Sequence, residues 1–167
     1  PFRLPGGDRA GRAPWRSAAA VCWELGRDCP IGVPDPIVRN AWERRVNSPQ
    51  SSAAGRLFDA ASAIILGLGE TSFEGQGPMW LEAIAHDPVA FPRLGLRSTA
   101  EGRLELDWAP LVDWLLQAPP TTAAGRADCA GAVHASLADG IVQVAERLRD
   151  QSGSSIVGLT GGVFQNR

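Results

Sequence analysis

Residues 155–167 read SIVGLTGGVFQNR. An aliphatic, partly β-branched run from Ile156 to Thr160 leads into Gly161–Gly162 and then into a polar stretch, the order in which a strand hands over to a tight turn and a helix start. Bare glycine backbone at such a turn lets amide hydrogens, with the positive end of a helix dipole, meet a phosphate or carboxylate with no Cβ in the way. Asn166, about one helical turn further on, is placed to reach a ribose or a base edge. The same pattern is also ordinary α/β construction, in which the two glycines serve only the turn.

That strand needs neighbours, and the rest of the chain is mostly helical. Pro14 opens a helix through WRSAAAVCWELG (15–26), closed by Gly26, and a shorter helix starts at Asp35 or Pro36 and ends near Asn47 before Pro49. The strongest helical pattern is SSAAGRLFDAASAIILGLG (51–69): Ser51 or Ser52 caps it, and Leu57, Ala61, Ile64, Ile65 and Leu68 recur at helical spacing. GPMWLEAIAH (77–86) gives another helix, stopped by Asp87–Pro88, and GRLELDW (102–108) alternates as a strand. APLVDWLLQ (109–117) and a long amphipathic segment over 124–151 complete the helices, with a turn at Gly153. So few strands cannot by themselves complete a helix-covered parallel sheet, because the last one is left with unpaired edges. The missing strands are expected outside this segment. A first residue that is Pro1, and an end in mid-motif, carry the same expectation: a fragment over 1–167 of a larger domain, truncated at both ends.

Composition narrows the chemistry. With 44% hydrophobic and 20% charged residues the chain is that of a folded globular protein, and a net charge of -2 gives no electrostatic reason to expect nucleic acid or an anionic membrane. Every basic residue is arginine, which excludes a P-loop lysine, a Schiff-base lysine and a lysine general base within these residues. Cys22, Cys29 and Cys129 are too few and too scattered for a disulfide framework, and their odd number points to free thiols and the cytoplasm. Two isolated histidines, His86 and His134, do not supply a metal-ligand set with these cysteines, so no metal site is expected inside the segment. His134 is expected to be packed and hydrogen-bonded, or at most a pocket wall.

Two further groups carry candidate chemistry. Ser52, Arg56 and Asp59 stack at spacings of four and three on one helix face, away from Leu57, Ile64 and Ile65, and an aspartate there is suited to accept hydrogen bonds from both hydroxyls of a ribose. A solvated Arg56–Asp59 pair, adding a few tenths of a kcal/mol or less, accounts for the same spacing. FEGQG (73–77) gathers Glu74, Gly75 and Gln76 in the turn before a helix, where a ligand can approach backbone closely. A helix-initiating turn with Glu74 favouring the dipole explains it equally well.

Taken in order, FRLPGGDRAGRAPWRSA (2–18), NSPQSSAAGRLFDAASAIILGL (47–68), FEGQGPMWLEAIA (73–85), VHASLADGI (133–141) and GLTGGVFQNR (158–167) resemble the HypF family of hydrogenase-maturation carbamoyltransferases, in its C-terminal Kae1-like domain. The resemblance implies a partial ASKHA lobe, the actin-like, nucleotide-clasping α/β architecture. It implies that carbamoyl phosphate and ATP become carbamoyl adenylate in a YrdC-like domain of the same parent chain, and that the Kae1-like domain passes the carbamoyl group to the C-terminal cysteine of the partner HypE during [NiFe]-hydrogenase maturation. By similarity to the related GEAFDK helix of threonylcarbamoyl-transfer proteins, Asp59 matches the ribose-holding position. Gly75 and Gln76 match the nucleotide loop, Gly161 and Gly162 the phosphate-side turn, and Asn166 the nucleoside-contacting asparagine; Arg56, Glu74 and His134 are candidate pocket walls. No residue stands out as a catalytic base.

The resemblance also implies a metal ion in the parent domain, with its histidine and aspartate ligands outside these residues. Gly77–Pro78 stand where the family usually has two alanines. The fragment alone is expected not to transfer carbamoyl groups. Two alternatives stay open: threonylcarbamoyl transfer to tRNA, and a non-catalytic docking segment that presents some of Trp15, Trp23, Trp42, Trp80, Trp108 and Trp114 to a partner.

Overall fold

The computed structural model describes residues 1–32 and 35–165. In chain order the elements are β1 (Phe2–Arg3), a 3-10 helix (Gly7–Arg12), α1 (Pro14–Glu24), α2 (Pro36–Glu43), β2 (Gln50–Ser51) and α3 (Ala54–Leu66). There follow α4 (Gln76–Ile84), β3 (Gly95–Ser98), β4 (Leu104–Asp107), α5 (Ala109–Gln117), α6 (Ala123–Ser152) and a second 3-10 turn (Gly162–Gln165). Among the described residues the strands form two antiparallel pairs, β1 with β2 and β3 with β4.

Helix α3 is the centre of the fold. It packs against α1, the first 3-10 helix, α4, α5 and α6, and residues 57–65 are buried without a break. Ala18 and Ala20 of α1 and Ala60, Ala61 and Ala63 of α3 share one buried cluster, and such small side chains let two helix axes run close together. Ile65, Leu81, Leu111 and Leu115 close the core around them, each contributing about 1.5–3 kcal/mol by burial. Exposed ion pairs such as Arg39–Glu43, at 3.3 Å, add a few tenths of a kcal/mol, so packing and not surface charge sets the arrangement.

A second cluster fixes α2. Trp15, Trp23 and Trp42 are buried together; the Trp42 indole N–H donates to the Arg3 carbonyl at 2.9 Å, and the Arg3 guanidinium lies 3.9 Å from the Trp42 ring centre. Trp108 and Trp114 are half-buried, which leaves Trp80 as the exposed tryptophan, at 47%. Three of the six tryptophans are therefore enclosed in the core.

Three expectations are corrected. Ser51 and Ser52 do not cap α3: Ser51 pairs with Phe2 in the β1–β2 ladder, its hydroxyl accepts from the Ala53 amide, and the helix begins at Ala54 with no side-chain cap. Ser52 therefore lies outside the helix and does not share a face with Arg56 and Asp59. The strand expected over 155–160 is absent among the described residues; 153–160 carries no regular structure, and Ile156, Val157 and Leu159 are exposed. A strand exists only through its ladder partners, and no described strand pairs with this stretch.

The other helices stand near where sequence places them, with α2 ending at Glu43 instead of near Asn47, as Arg45 and Asn47 take positive φ, and α4 carrying Pro78 in its first turn. Gly77 has a packing reason: a Cβ there would run into the Ser62 hydroxyl of α3. Likewise a Cβ at Gly131 of α6 would run into the His86 carbonyl oxygen, which is backbone and cannot step aside, whereas Gly55 in α3 faces open space. Gly131→Ala is therefore expected to destabilise by about 1–3 kcal/mol. Gly55→Ala should stabilise by a few tenths to about 1 kcal/mol. Urea-unfolding midpoints of the two variants should fall on opposite sides of wild type; two midpoints on the same side would contradict this packing.

Candidate functional site

Asp59 sits inside the continuous buried run of α3, with its side chain 2% exposed. Three residues earlier, Arg56 shares its face, and Arg56 Nη1 lies 3.0 Å from Asp59 Oδ2. The other arm of the same guanidinium, Nη2, donates to Glu74 Oε1 at 2.6 Å; Glu74 belongs to the loop before α4 and is mostly exposed. One guanidinium thus joins a buried carboxylate to an exposed one. The solvated pair that the spacing also allowed is not what forms, since Asp59 is enclosed.

The contact between Arg56 and Asp59 is short but not aligned, and Asp59 Oδ2 has no hydrogen-bond donor. Burial pushes the Asp59 carboxyl up to about 6, against the pull of Arg56 and with a further push from Glu74. At neutral pH it is an enclosed carboxylate still short of donors. Buried acceptors in folded proteins are normally satisfied, and this oxygen is both short of a donor and enclosed: Asp59 is 1% exposed and faces Arg56 Nη1 at 3.0 Å.

The loop between α3 and α4 is tied down at several points. The Trp15 indole donates to Glu70 Oε1 at 3.1 Å, the Thr71 amide to the Arg12 carbonyl at 3.0 Å, and the Ser72 amide to Gln76 Oε1 at 2.8 Å. Gly75 caps α4 with φ of 87°, a conformation that strains any other L-residue. Gln76 is the first residue of α4 and not a loop residue, and its side-chain oxygen holds the loop instead of standing free.

A third wall was missed by sequence reasoning. A Cβ at Gly11, in the first 3-10 helix, would lie 3.2 Å from Glu74 Cδ and 3.3 Å from Arg56 Nη1. The glycine of DRAGR lets that backbone lie against the Arg56–Glu74 pair; its signal in the sequence was a glycine in a stretch read only as loop.

His134 lies on α6 with its ring centre 5.0 Å from that of Phe58, the residue before Asp59. Its Nδ1 lies 2.8 Å from the Ala130 carbonyl, which only accepts, so Nδ1 carries the proton; Nε2 is buried with no partner. The packed, hydrogen-bonded histidine expected from sequence is the one found.

Arg56, Asp59 and Glu74 are thus brought together, and Gly75 and Gln76 follow Glu74 in the chain at the start of α4. Gly161 and Gly162 lie at the far end of the chain, exposed, with φ of 106° at Gly161, and a Cβ at either would meet nothing. Among the described residues no hydrogen bond or ion pair joins that turn to Asp59, Arg56 or Glu74. Asn166 lies outside the described residues. No group of three or more His, Cys, Asp and Glu side chains is gathered for a metal among the described residues, and no described helix is long and apolar enough to cross a membrane.

The family profile described as "Carbamoyltransferase, Kae1-like Domain, second subdomain" matches residues 1–167. The chain belongs to this carbamoyltransferase family. Carbamoyltransferase HypF of Rhodobacter capsulatus is 38% identical over 174 residues, covering 99% of this chain and 22% of the relative. A crystal structure of full-length HypF in the phosphate- and nucleotide-bound form superposes with a TM-score of 0.82 at 22% identity, over 99% of this chain and 27% of that one, a likeness that establishes the fold. HypF of T.kodakarensis gives a TM-score of 0.77 at 25% identity, over 99% of this chain and 23% of its own. The chain spans about a quarter of the length of these family members. Its fold is accordingly a partial Kae1-like α/β lobe, mostly helical with few strands.

Asp59 also makes stability depend on pH. Its folded value of about 6 lies above the ordinary 3.8, so the group favours folding fully below about pH 4 and loses that contribution as pH rises through 6. The ionised carboxylate then costs roughly 3 kcal/mol as an upper figure. Asp59→Asn is expected to be more stable than wild type at pH 8, with the advantage shrinking toward pH 4. Chemical unfolding at both pH values checks this, and a stability difference that does not change between pH 4 and pH 8 would show that folding does not raise the Asp59 carboxyl.

Proposed function

We propose that Asp59 and the loop at Glu74–Gln76 form part of the adenosine-phosphate site of an ATP-dependent carbamoyltransferase. In this reading the parent chain makes carbamoyl adenylate from carbamoyl phosphate and ATP in a YrdC-like domain. The lobe described above helps to hold the adenylate while the carbamoyl group passes to the C-terminal cysteine of HypE in [NiFe]-hydrogenase maturation. The supporting observation is the enclosed Asp59 carboxylate with an unsatisfied oxygen, in a helix that otherwise buries only apolar and small side chains.

The chemistry fits the parts. A ribose diol offers two hydroxyl donors, and an ionised, desolvated carboxylate is the acceptor that gains most from them. Gly161 and Gly162 have no packing neighbour that requires a missing Cβ, which suits a turn whose amides are approached by a phosphate. Transfer then needs the thiolate held against the carbamoyl carbon, with adenosine monophosphate as leaving group. This is a task of positioning and oxyanion stabilisation more than of a local base. The metal implied for the parent domain finds no ligand set among the described residues, and no step here is routed through it.

In the intact parent chain, Asp59→Ala should weaken adenosine monophosphate binding by roughly 10–100-fold, the loss expected for hydrogen bonds to a charged group. Binding of HypE should be unchanged. Calorimetric titration of both ligands provides the check, and undiminished nucleotide affinity in the variant would remove Asp59 from the site.

A further inference from the structure

The guanidinium of Arg56 occupies a position that neither its own helix nor the loop alone explains. Its two terminal nitrogens are divided between partners of opposite character: Nη1 at 3.0 Å from the enclosed Asp59, and Nη2 at 2.6 Å from the exposed Glu74. Arg56 itself is 15% exposed, and Gly11 lets the first 3-10 helix lie close against the pair, since a Cβ there would be 3.3 Å from Nη1 and the two side chains would have to shift by a few tenths of an ångström to take it. An arginine serving only solubility would not be enclosed in this way. An arginine serving only to neutralise Asp59 would not be shared.

We propose that Arg56 is the positioning residue of the Asp59 site, held between Asp59 and Glu74 so that the loop carboxylate competes with the buried one for a single cation and thereby sets how readily Asp59 presents a charged acceptor to a vicinal diol. This rests on the adenosine-phosphate reading for its ligand, but the competition itself is a property of the unliganded chain.

The charges acting on Asp59 are few. Arg56 favours its ionised form and Glu74 opposes it. His134 of α6 reaches α3 at Phe58, with the ring centres 5.0 Å apart. Removing the cation should therefore move the Asp59 midpoint up, and removing the competing carboxylate should move it down. A residue that only braces the fold would not produce opposite displacements.

The test uses the intact parent chain with carbon-13-labelled aspartate, following the Asp59 carboxyl by NMR from pH 4 to 9 without ligand, and adenosine monophosphate affinity over the same range. Arg56→Gln should raise the carboxyl midpoint by about one pH unit or more, and Glu74→Gln should lower it. Arg56→Lys, which keeps the charge but not the fork, should restore the midpoint while leaving affinity below wild type. The affinity midpoints should follow the carboxyl midpoints. Unmoved carboxyl midpoints in both Gln variants, or displacements in the same direction, would overturn the proposal whatever the nucleotide does. If wild type bound no adenosine monophosphate at any pH, the nucleotide reading would fail, and the ligand-free titration would still decide the role of Arg56.

Discussion

Complete enclosure of α3 is the constraint on which the rest of this structure depends. Alanines on α1 and α3 bring those two helices close, and α4, α5, α6 and the first 3-10 helix cover what remains, so residues 57–65 have no solvent face. Any charged residue in that run is buried by the architecture. Asp59 is the one such residue, and the lobe tolerates it because the surrounding apolar burial, worth tens of kcal/mol in sum, exceeds the few that an ionised carboxylate costs. A chain selected for stability alone would place alanine or leucine there.

The same enclosure explains the shape of the neighbouring loop. The segment from Gly67 to Gly75 leaves α3 through a left-handed glycine and enters α4 through another, and between them it is tied to α1 and to the first 3-10 helix by Glu70 and Thr71. Glu74 is thereby delivered to Arg56, and the backbone at Gly11 can approach both. The site is built from three separated stretches, and the loop among them is tethered by hydrogen bonds to Arg12, Trp15 and Gln76. Such preorganisation is what a nucleotide site needs, because a ligand then meets acceptors that do not have to be ordered on binding.

Helical periodicity carried most of the fold. Leu57, Ile64 and Ile65 marked α3, the alanine run after Pro14 marked α1, and the long amphipathic pattern marked α6, since a buried stripe of three or four apolar residues per two turns survives in the sequence. The pairing of Arg56 with Asp59 was also legible from their spacing. Its burial was not, because part of the enclosure of α3 comes from α5 and α6, which are distant in sequence. Strand β3 left little trace, since Gly95–Ser98 holds a single apolar residue and no alternation. Conversely Ile156–Thr160 has the composition of a strand but no ladder among the described residues; propensity describes a residue's fitness for a sheet and cannot supply the neighbour. Gly11 was invisible for a similar reason, as close approach between distant segments is a property of the fold and not of the local sequence.

In the proposed site, the buried carboxylate on α3 and the bare turn at Gly161–Gly162 serve one adenosine-phosphate ester in the intact parent. A structure of the full-length chain with a non-hydrolysable carbamoyl adenylate analogue tests this most directly. Both ribose hydroxyls are expected within hydrogen-bond distance of Asp59, with the phosphate against the amides of Gly161 and Gly162. An analogue seated in this lobe with Asp59 still contacting only Arg56, and with the glycine turn elsewhere, would contradict it.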